Sequence, residues 1–121
     1  MPESPNEIQI VRTPVTLGHL VALAAGSFGD LVKGVVDVER GVMAIGGALH
    51  ADEEASLLDD GSTQSDLWGI NLYPGQFASG DWIEFDSMIN VRPWQGNRTR
   101  SVEDVSARER IVELVTRLVS K

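Results

Sequence analysis

Trp82-Ile83-Glu84-Phe85-Asp86-Ser87-Met88-Ile89-Asn90-Val91-Arg92 alternates along its whole length. Ile83, Phe85, Ile89 and Val91 fall on one face of a period-two strand, and Trp82, Glu84, Asp86, Met88, Asn90 and Arg92 on the other. Alternation of this length predicts a half-buried strand. Its apolar face must meet a core. Its other face carries two carboxylates, an amide and a guanidinium, more polar chemistry than a solvated sheet needs.

Working upstream, Asp66–Tyr73 predicts a further strand, with Trp68, Ile70 and Leu72 on one face and Gly69, Asn71 and Tyr73 on the other. Pro74-Gly75 ends it, and the short return through Gly80-Asp81 predicts that the two strands are antiparallel neighbours. Leu31–Val38 and Val42–Ile45 read as two more strands joined by a tight turn at Arg40-Gly41. Gly46-Gly47 bends the end of the second. Glu7–Arg12, with Ile8 and Ile10 on one face, is the first strand, and Thr13-Pro14 ends it. Residues 1–6 read as a loose N-terminal end.

Helical spacing marks three segments. Thr16 is a suitable N-cap for Leu17, Leu20, Val21 and Ala24, with the end near Phe28 and Gly29 at a left-handed position. His19 lies beside that stripe and reads as solvated. Ala51–Asp59 predicts a short helix stopped by Gly61. Ser101 as N-cap, with Asp104 in the capping-box place, predicts a last helix from Val102 to Val119. The order is β-α-β-β-α-β-β-α in a single domain, residues 1–121. The fold class is α+β, a two-layer sandwich of about five mostly antiparallel strands with two main helices on one face and a short third helix.

The composition fits that reading: 121 residues with 42% hydrophobic and 23% charged side chains are enough for one buried core. A net charge of −8 repels a phosphate backbone and argues against general nucleic-acid binding. The absence of cysteine excludes disulfides, thiolate zinc sites and thiol nucleophiles. MPESPNEIQ lacks the basic and apolar regions of a signal peptide. Leu17–Phe28, the longest apolar run, is too short and Gly-broken to span a bilayer. The expectation is a cytoplasmic protein with no membrane partner.

Candidate chemistry concentrates in three places. The first is His50 with Asp52, Glu53 and Glu54. Carboxylates in a first helical turn complement the helix dipole by ~0.3–1 kcal/mol each. His-x-Asp-x-Glu is not a recognised metal-ligand spacing, so no metal and no cofactor are expected. The second is the polar sheet face: Lys33, Asp37, Asn71, Tyr73, Glu84, Asp86, Asn90 and Arg92, with Trp82 and Met88 among them. It reads as a solvated face, a homodimer interface or a ligand groove. The third is the loop Arg92–Ser101, which brings Arg92, Arg98 and Arg100, with Gln95 and Asn97, to a helix start. Helix amides and guanidiniums bind anions, and Gly96 lets the backbone approach one. The same arginines would equally pair with Glu103, Asp104 or Asp52–Glu54. No nucleophile elbow is present.

The blocks HADEE, WGINLYP and FDSMIN…GNR, taken with VVDVERGVMAIGGAL before them, resemble a family of short prokaryotic proteins known as a domain of unknown function. The resemblance runs from about Val32 to the last helix. It implies that His50, Asp52, Glu53, Glu54, Trp68, Asn71, Asp86, Asn90, Arg92, Asn97 and Arg98 occupy motif positions. It implies no activity, cofactor or substrate. The first helix departs from the family's Glu- and Lys-rich version, carrying Gly18, His19 and several alanines.

Two functions follow as expectations. One is a non-enzymatic binding or interaction module, a homo-oligomer with a polar site for a small anionic ligand. Arg92, Arg98 and Arg100 would hold the charge, and Asn90 and Asn97 would orient the ligand. The alternative is a small hydrolase-like acid–base enzyme using His50 with Asp86 or Glu84 and Arg92, which requires His50, Asp86 and Arg92 to share one pocket. A purely structural partner-binding protein would instead show a flat apolar patch at Trp82, Met88 or Trp94.

Overall fold

The computed structural model describes residues 8–121. The expectations for residues 1–6, and for Glu7 as the start of the first strand, lie outside the described residues. The chain forms β1 (Gln9–Val11), β2 (Val15–Thr16), α1 (Leu17–Ala25), β3 (Val32–Asp37), β4 (Val42–Ile45), α2 (His50–Asp59), β5 (Leu67–Leu72), β6 (Ile83–Glu84), α3 (Val105–Leu118) and β7 (Val119–Ser120). Five strands make one antiparallel sheet in the order β1-β4-β3-β5-β6, the mixed α+β fold that the pattern predicts.

The β3–β4 hairpin sits at the centre. Gly41 supplies the positive φ of its turn, at +70°. The buried Asp37 carboxylate holds the turn, accepting from the Glu39 and Arg40 amides at 2.9 and 2.8 Å and from the Ser62 hydroxyl at 2.6 Å. β3 pairs with β5 over six residues, from Val32↔Leu72 to Asp37↔Leu67.

Alternation then assigns two cores. Val32 and Val36 of β3, with Trp68, Ile70 and Leu72 of β5, meet Leu20 and Ala24 of α1 and Ile111, Leu114, Val115 and Leu118 of α3. Val35, Val42, Ala44 and Leu67 form a smaller core with Leu57 of α2. The first and last helices thus share one face, and α2, which at ten residues is no shorter than the nine-residue α1, covers the other.

Several boundaries differ from expectation. α3 begins at Val105 with Asp104 as its N-cap, which accepts from the Ser106 amide at 3.1 Å, and Ser101 is not the cap. Val102 is drawn into the large core ahead of the helix. Val119 and Ser120 leave the helix to pair in parallel with Val15 and Thr16. Thr16 caps α1 as predicted, accepting from the His19 amide at 3.1 Å. α1 ends earlier, at Ala25, and Gly29 has a φ of +94° with its amide on the Ala24 carbonyl. His19 is half-buried, with Nε2 2.8 Å from Gln9 Oε1.

The largest correction falls on Trp82–Arg92. Only Ile83 and Glu84 are strand. The chain then turns away, forming 3₁₀ turns at Met88–Asn90 and Pro93–Gln95. The alternation is real but serves two cores: Ile83 and Phe85 pack against the large one, Ile89 against the small one. The edge of β5 that a continued β6 would have paired is met by side chains. Asn90 Oδ1 accepts from the Gly69 amide at 2.8 Å, and Asn90 Nδ2 donates to the Gly69 carbonyl at 3.0 Å. A carboxamide has the donor–acceptor pair of a peptide unit, so one side chain completes what a strand residue would.

This crossing needs a residue without a Cβ beneath it. A Cβ on Gly69 would stand 2.5 Å from Ser87 Cβ and 3.1 Å from Ile89 Cγ1, whereas one on Gly75 meets nothing within 4 Å. Gly69→Ala is expected to cost ~1–3 kcal/mol by overpacking. Gly75→Ala should stay within ~0.5 kcal/mol. Urea denaturation of the two variants beside the parent protein checks this, and equal midpoints would refute the packing account.

Candidate functional site

The register of β3 and β5 sets Lys33 beside Asn71 on the face that α2 covers. His50, the first residue of α2, comes over them. The chain leaving β6 adds Asp86, Ser87 and Met88, and the loop before α3 adds Arg100. Together these residues line a cleft of about 260 Å³.

His50 Nε2 lies 2.8 Å from the Ile70 carbonyl oxygen. A carbonyl only accepts, so the hydrogen sits on Nε2 and the neutral ring keeps Nδ1 as an acceptor. Burial holds the His50 pKa below its usual value, and the nearby Lys33 charge adds to this; the Ile70 bond, the Asn71 side chain and Asp86 oppose it. The ring therefore favours its neutral form. Asn71 Nδ2 donates to Glu84 Oε1 at 2.8 Å and to the Asp86 carbonyl at 3.3 Å, while its buried Oδ1 has no donor. Arg100 Nε donates to Asp86 Oδ1 at 2.7 Å, with both side chains about half exposed. An ion pair this open contributes little to stability. Lys33 makes no ion pair among the described residues, and its ammonium stands 5.1 Å from the centre of the Phe28 ring.

α2 enters this cleft without a cap. Leu49 occupies the N-cap position and offers no acceptor. Among the described residues the His50 and Ala51 amides find no acceptor either. These are the orphan donors and the positive end of the helix. The acidic first turn does not neutralise them in the way the sequence suggests. Glu53 is fully buried, taking the Gly47 amide on Oε2 at 2.9 Å and leaving Oε1 without a partner. Burial pushes its pKa up to about 9 against the opposing Gly47 bond, so the group is an uncharged acid at neutral pH. Burial also raises the Glu54 carboxyl, with Arg92 opposing. Asp52 alone of the three is exposed.

The residues expected to hold a ligand separate into two sets. Arg92 is 1% exposed, and its guanidinium lies 4.2 Å from the Trp68 ring centre. It donates to the Gln64 carbonyl at 2.6 Å, to Gln95 Oε1 at 3.2 Å and to the Leu67 carbonyl. Asn90 is committed to Gly69, as above, and to the Arg100 carbonyl at 2.9 Å. Asn97 is buried, donating to the carbonyls of Asn90, Ser101 and Thr99 at 2.7, 2.7 and 3.1 Å and accepting from the Glu103 amide. The tight turns of this loop leave buried backbone groups without ladder partners, and these three side chains satisfy them. They hold the loop and present nothing to a ligand. Arg98 is exposed away from the cleft, and its backbone amide donates to Glu103 at 2.6 Å. Arg100 alone of the three arginines reaches the cleft.

The acid–base set divides similarly. His50 and Asp86 line one cleft, Arg92 does not, and Glu84 lies outside it, accepting from Asn71 and from the Tyr73 hydroxyl at 3.1 Å. Trp82 packs edge-on against Phe77 in the large core, away from the surface where a dimer centre would lie, while Met88 and Trp94 are exposed. Among the described residues no group of three His, Asp or Glu is placed to hold a metal ion, and no helix is long and apolar enough to cross a membrane. Alternation places Lys33 on this face, whereas the burial of Glu53 has no counterpart in the local pattern. The signal for the latter was Gly47, whose missing Cβ leaves room for the Glu53 side chain: a Cβ there would stand 2.8 Å from Glu53 Cγ.

The Glu53 carboxyl makes stability pH-dependent. Its folded pKa near 9 lies above the unfolded value of 4.5, so the folded state keeps a proton that the unfolded state releases. Its contribution is complete below the unfolded value and is lost as pH rises toward the folded one. The parent protein is expected to lose melting temperature between pH 5 and 9, and Glu53→Gln to flatten that decline, in thermal melts across this range. Parallel profiles would show that Glu53 is ionised in the fold.

No curated protein and no solved structure matches this chain. A family model described as a protein of unknown function, DUF5674, matches residues 9–118, which take in the whole five-stranded sheet, all three helices and every side chain of the cleft. The match agrees with the resemblance noted above to a domain of unknown function, and the chain belongs to the DUF5674 family.

Proposed function

We propose that the protein is a binding module whose cleft takes a small anionic ligand. The observation that carries this is the meeting in one concave site of the Lys33 ammonium, which makes no ion pair among the described residues, with an amino end of α2 that no described side chain caps. Helix N-termini favour anions through their free amides and dipole. Arg100 adds a guanidinium whose Nη groups make no bond among the described residues. Lys33, Arg100 and the His50 and Ala51 amides thus take the role first expected of Arg92, Arg98, Asn90 and Asn97.

A second reading rests on His50 and Asp86 lining the same cleft. A neutral imidazole with a free Nδ1 is a competent general base, and Asp86 lies near enough to favour its protonated form. A hydrolase of this kind would lose turnover in His50→Gln while keeping anion affinity.

A thermal-shift screen with phosphate, sulfate and carboxylates, at low and high salt, tests the binding reading. An anion at ~100 times its Kd should add ~2.7 kcal/mol of stability. Lys33→Ala is expected to weaken binding about tenfold or more. Arg98→Ala should leave it unchanged. The absence of a shift with every anion, or equal affinity in Lys33→Ala, would remove the proposal. Leu49→Asp supplies the missing cap from the chain itself. It is expected to raise the melting temperature by the equivalent of ~1 kcal/mol and to abolish anion binding.

A further inference from the structure

We infer that the ligand of this cleft is a hydrophobic carboxylic acid, an anionic head on a compact apolar body. The inference rests on the binding reading above and adds the chemistry of the rest of the molecule.

The cleft has two kinds of wall. One is polar and incomplete. Among the described residues Lys33 makes no ion pair and the first amides of α2 lack acceptors, while Asn71 Oδ1, an acceptor, gives an anion nothing and spends no donor on it. The other is apolar and exposed. Leu49 is 55% exposed and Met88 66% exposed, and they come from separate parts of the chain to border one concavity. Single exposed apolar side chains need no explanation. Two that border one cleft, with Ile89 beside them, form the wall of a ligand site. Met88 suits that place, because an unbranched thioether adapts to the shape it covers.

Leu49 joins the two arguments. An N-cap position favours Ser, Thr, Asp or Asn, and Leu is among the poorest choices. Here the position gives up the cap and presents an apolar surface. A bound carboxylate would accept from the amides that Leu49 leaves free, while the body attached to it would lie against Leu49 and Met88. Inorganic phosphate or acetate would meet only the first need. A neutral apolar molecule would meet only the second. The cleft volume of about 260 Å³ lies just below the range of roughly 300–1,000 Å³ typical of drug-sized ligand sites, which suits a small ligand.

Isothermal titration of the full chain with 3-phenylpropanoate, 4-methylpentanoate, acetate, inorganic phosphate and 3-phenylpropanamide tests this. Both hydrophobic acids should bind about tenfold or more tightly than acetate. The amide should bind much more weakly than its acid. Leu49→Ala and Met88→Ala, both at exposed positions, should remove most of the hydrophobic acids' advantage and leave acetate and phosphate affinity as it was. Lys33→Ala should weaken every acid. Acetate or phosphate binding as tightly as 3-phenylpropanoate would overturn the ligand class and leave the small-anion reading standing. The amide binding as tightly as the acid would overturn the anionic head. Binding by none of the five would overturn both.

Discussion

The Asn90 carboxamide on the backbone of Gly69 is the contact on which the arrangement of this protein turns. Strand β5 has β3 on one side along its whole length, while β6 covers only its far end, at Asn71 and Leu72. Between Leu67 and Gly69 the other edge would present bare amides and carbonyls. Asn90 closes it at Gly69, and Arg92 closes it at Leu67. The chain after Glu84 is thereby released from the sheet to cross its face. The loop before α3 hangs on the same residue: the Arg100 carbonyl accepts from Asn90 Nδ2 and from the Ser87 amide, and Asn97 holds the Asn90 carbonyl. A side chain that replaces a strand residue therefore also decides where Asp86, Met88 and Arg100 stand.

Helix α2 depends on an opposite device. Its buried Glu53 is anchored to Gly47 rather than to water, and its N-cap is a leucine. An uncharged buried acid cannot serve the helix dipole as a carboxylate would, so of the acidic first turn only the exposed Asp52 is left to oppose the positive amino end of α2. Leu57 fixes the helix to the small core, and His50 ties its first turn to the Ile70 carbonyl of β5. These contacts aim the uncapped end at Lys33. Structure here leaves unsatisfied what a purely structural helix would have capped, and that surplus is the physical basis of the binding proposal.

Thr16 announced α1 because a cap and the amide it serves lie within one turn. Arg40-Gly41 announced the central hairpin because a tight turn between two β-branched runs has few alternatives. Lys33, Asn71 and Asp86 were placed on one face by alternation alone, and they do meet in one cleft. Glu53 has the pattern of a dipole partner, since nothing local distinguishes it from Asp52 and Glu54. Its burial follows from the room beside Gly47, a matter of packing.

The order of the three helices and of the five strands of the main sheet, the α+β class and the family were determined by the sequence itself, through periodicity, caps and turns acting over a few residues; the parallel pair of β2 and β7 was not. The fate of Trp82–Arg92 was decided only in three dimensions. Alternation states that successive side chains point to opposite sides, but not that both sides belong to one sheet. Whether Asn90 and Arg92 face a ligand or a backbone depended on the hydrogen-bonding demand of Gly69 and Leu67, more than twenty residues earlier in the chain. Buried peptide groups must be paired. The nearest side chains able to do so were taken from the expected site, and the cleft was left to Lys33, His50, Arg100 and the open end of a helix.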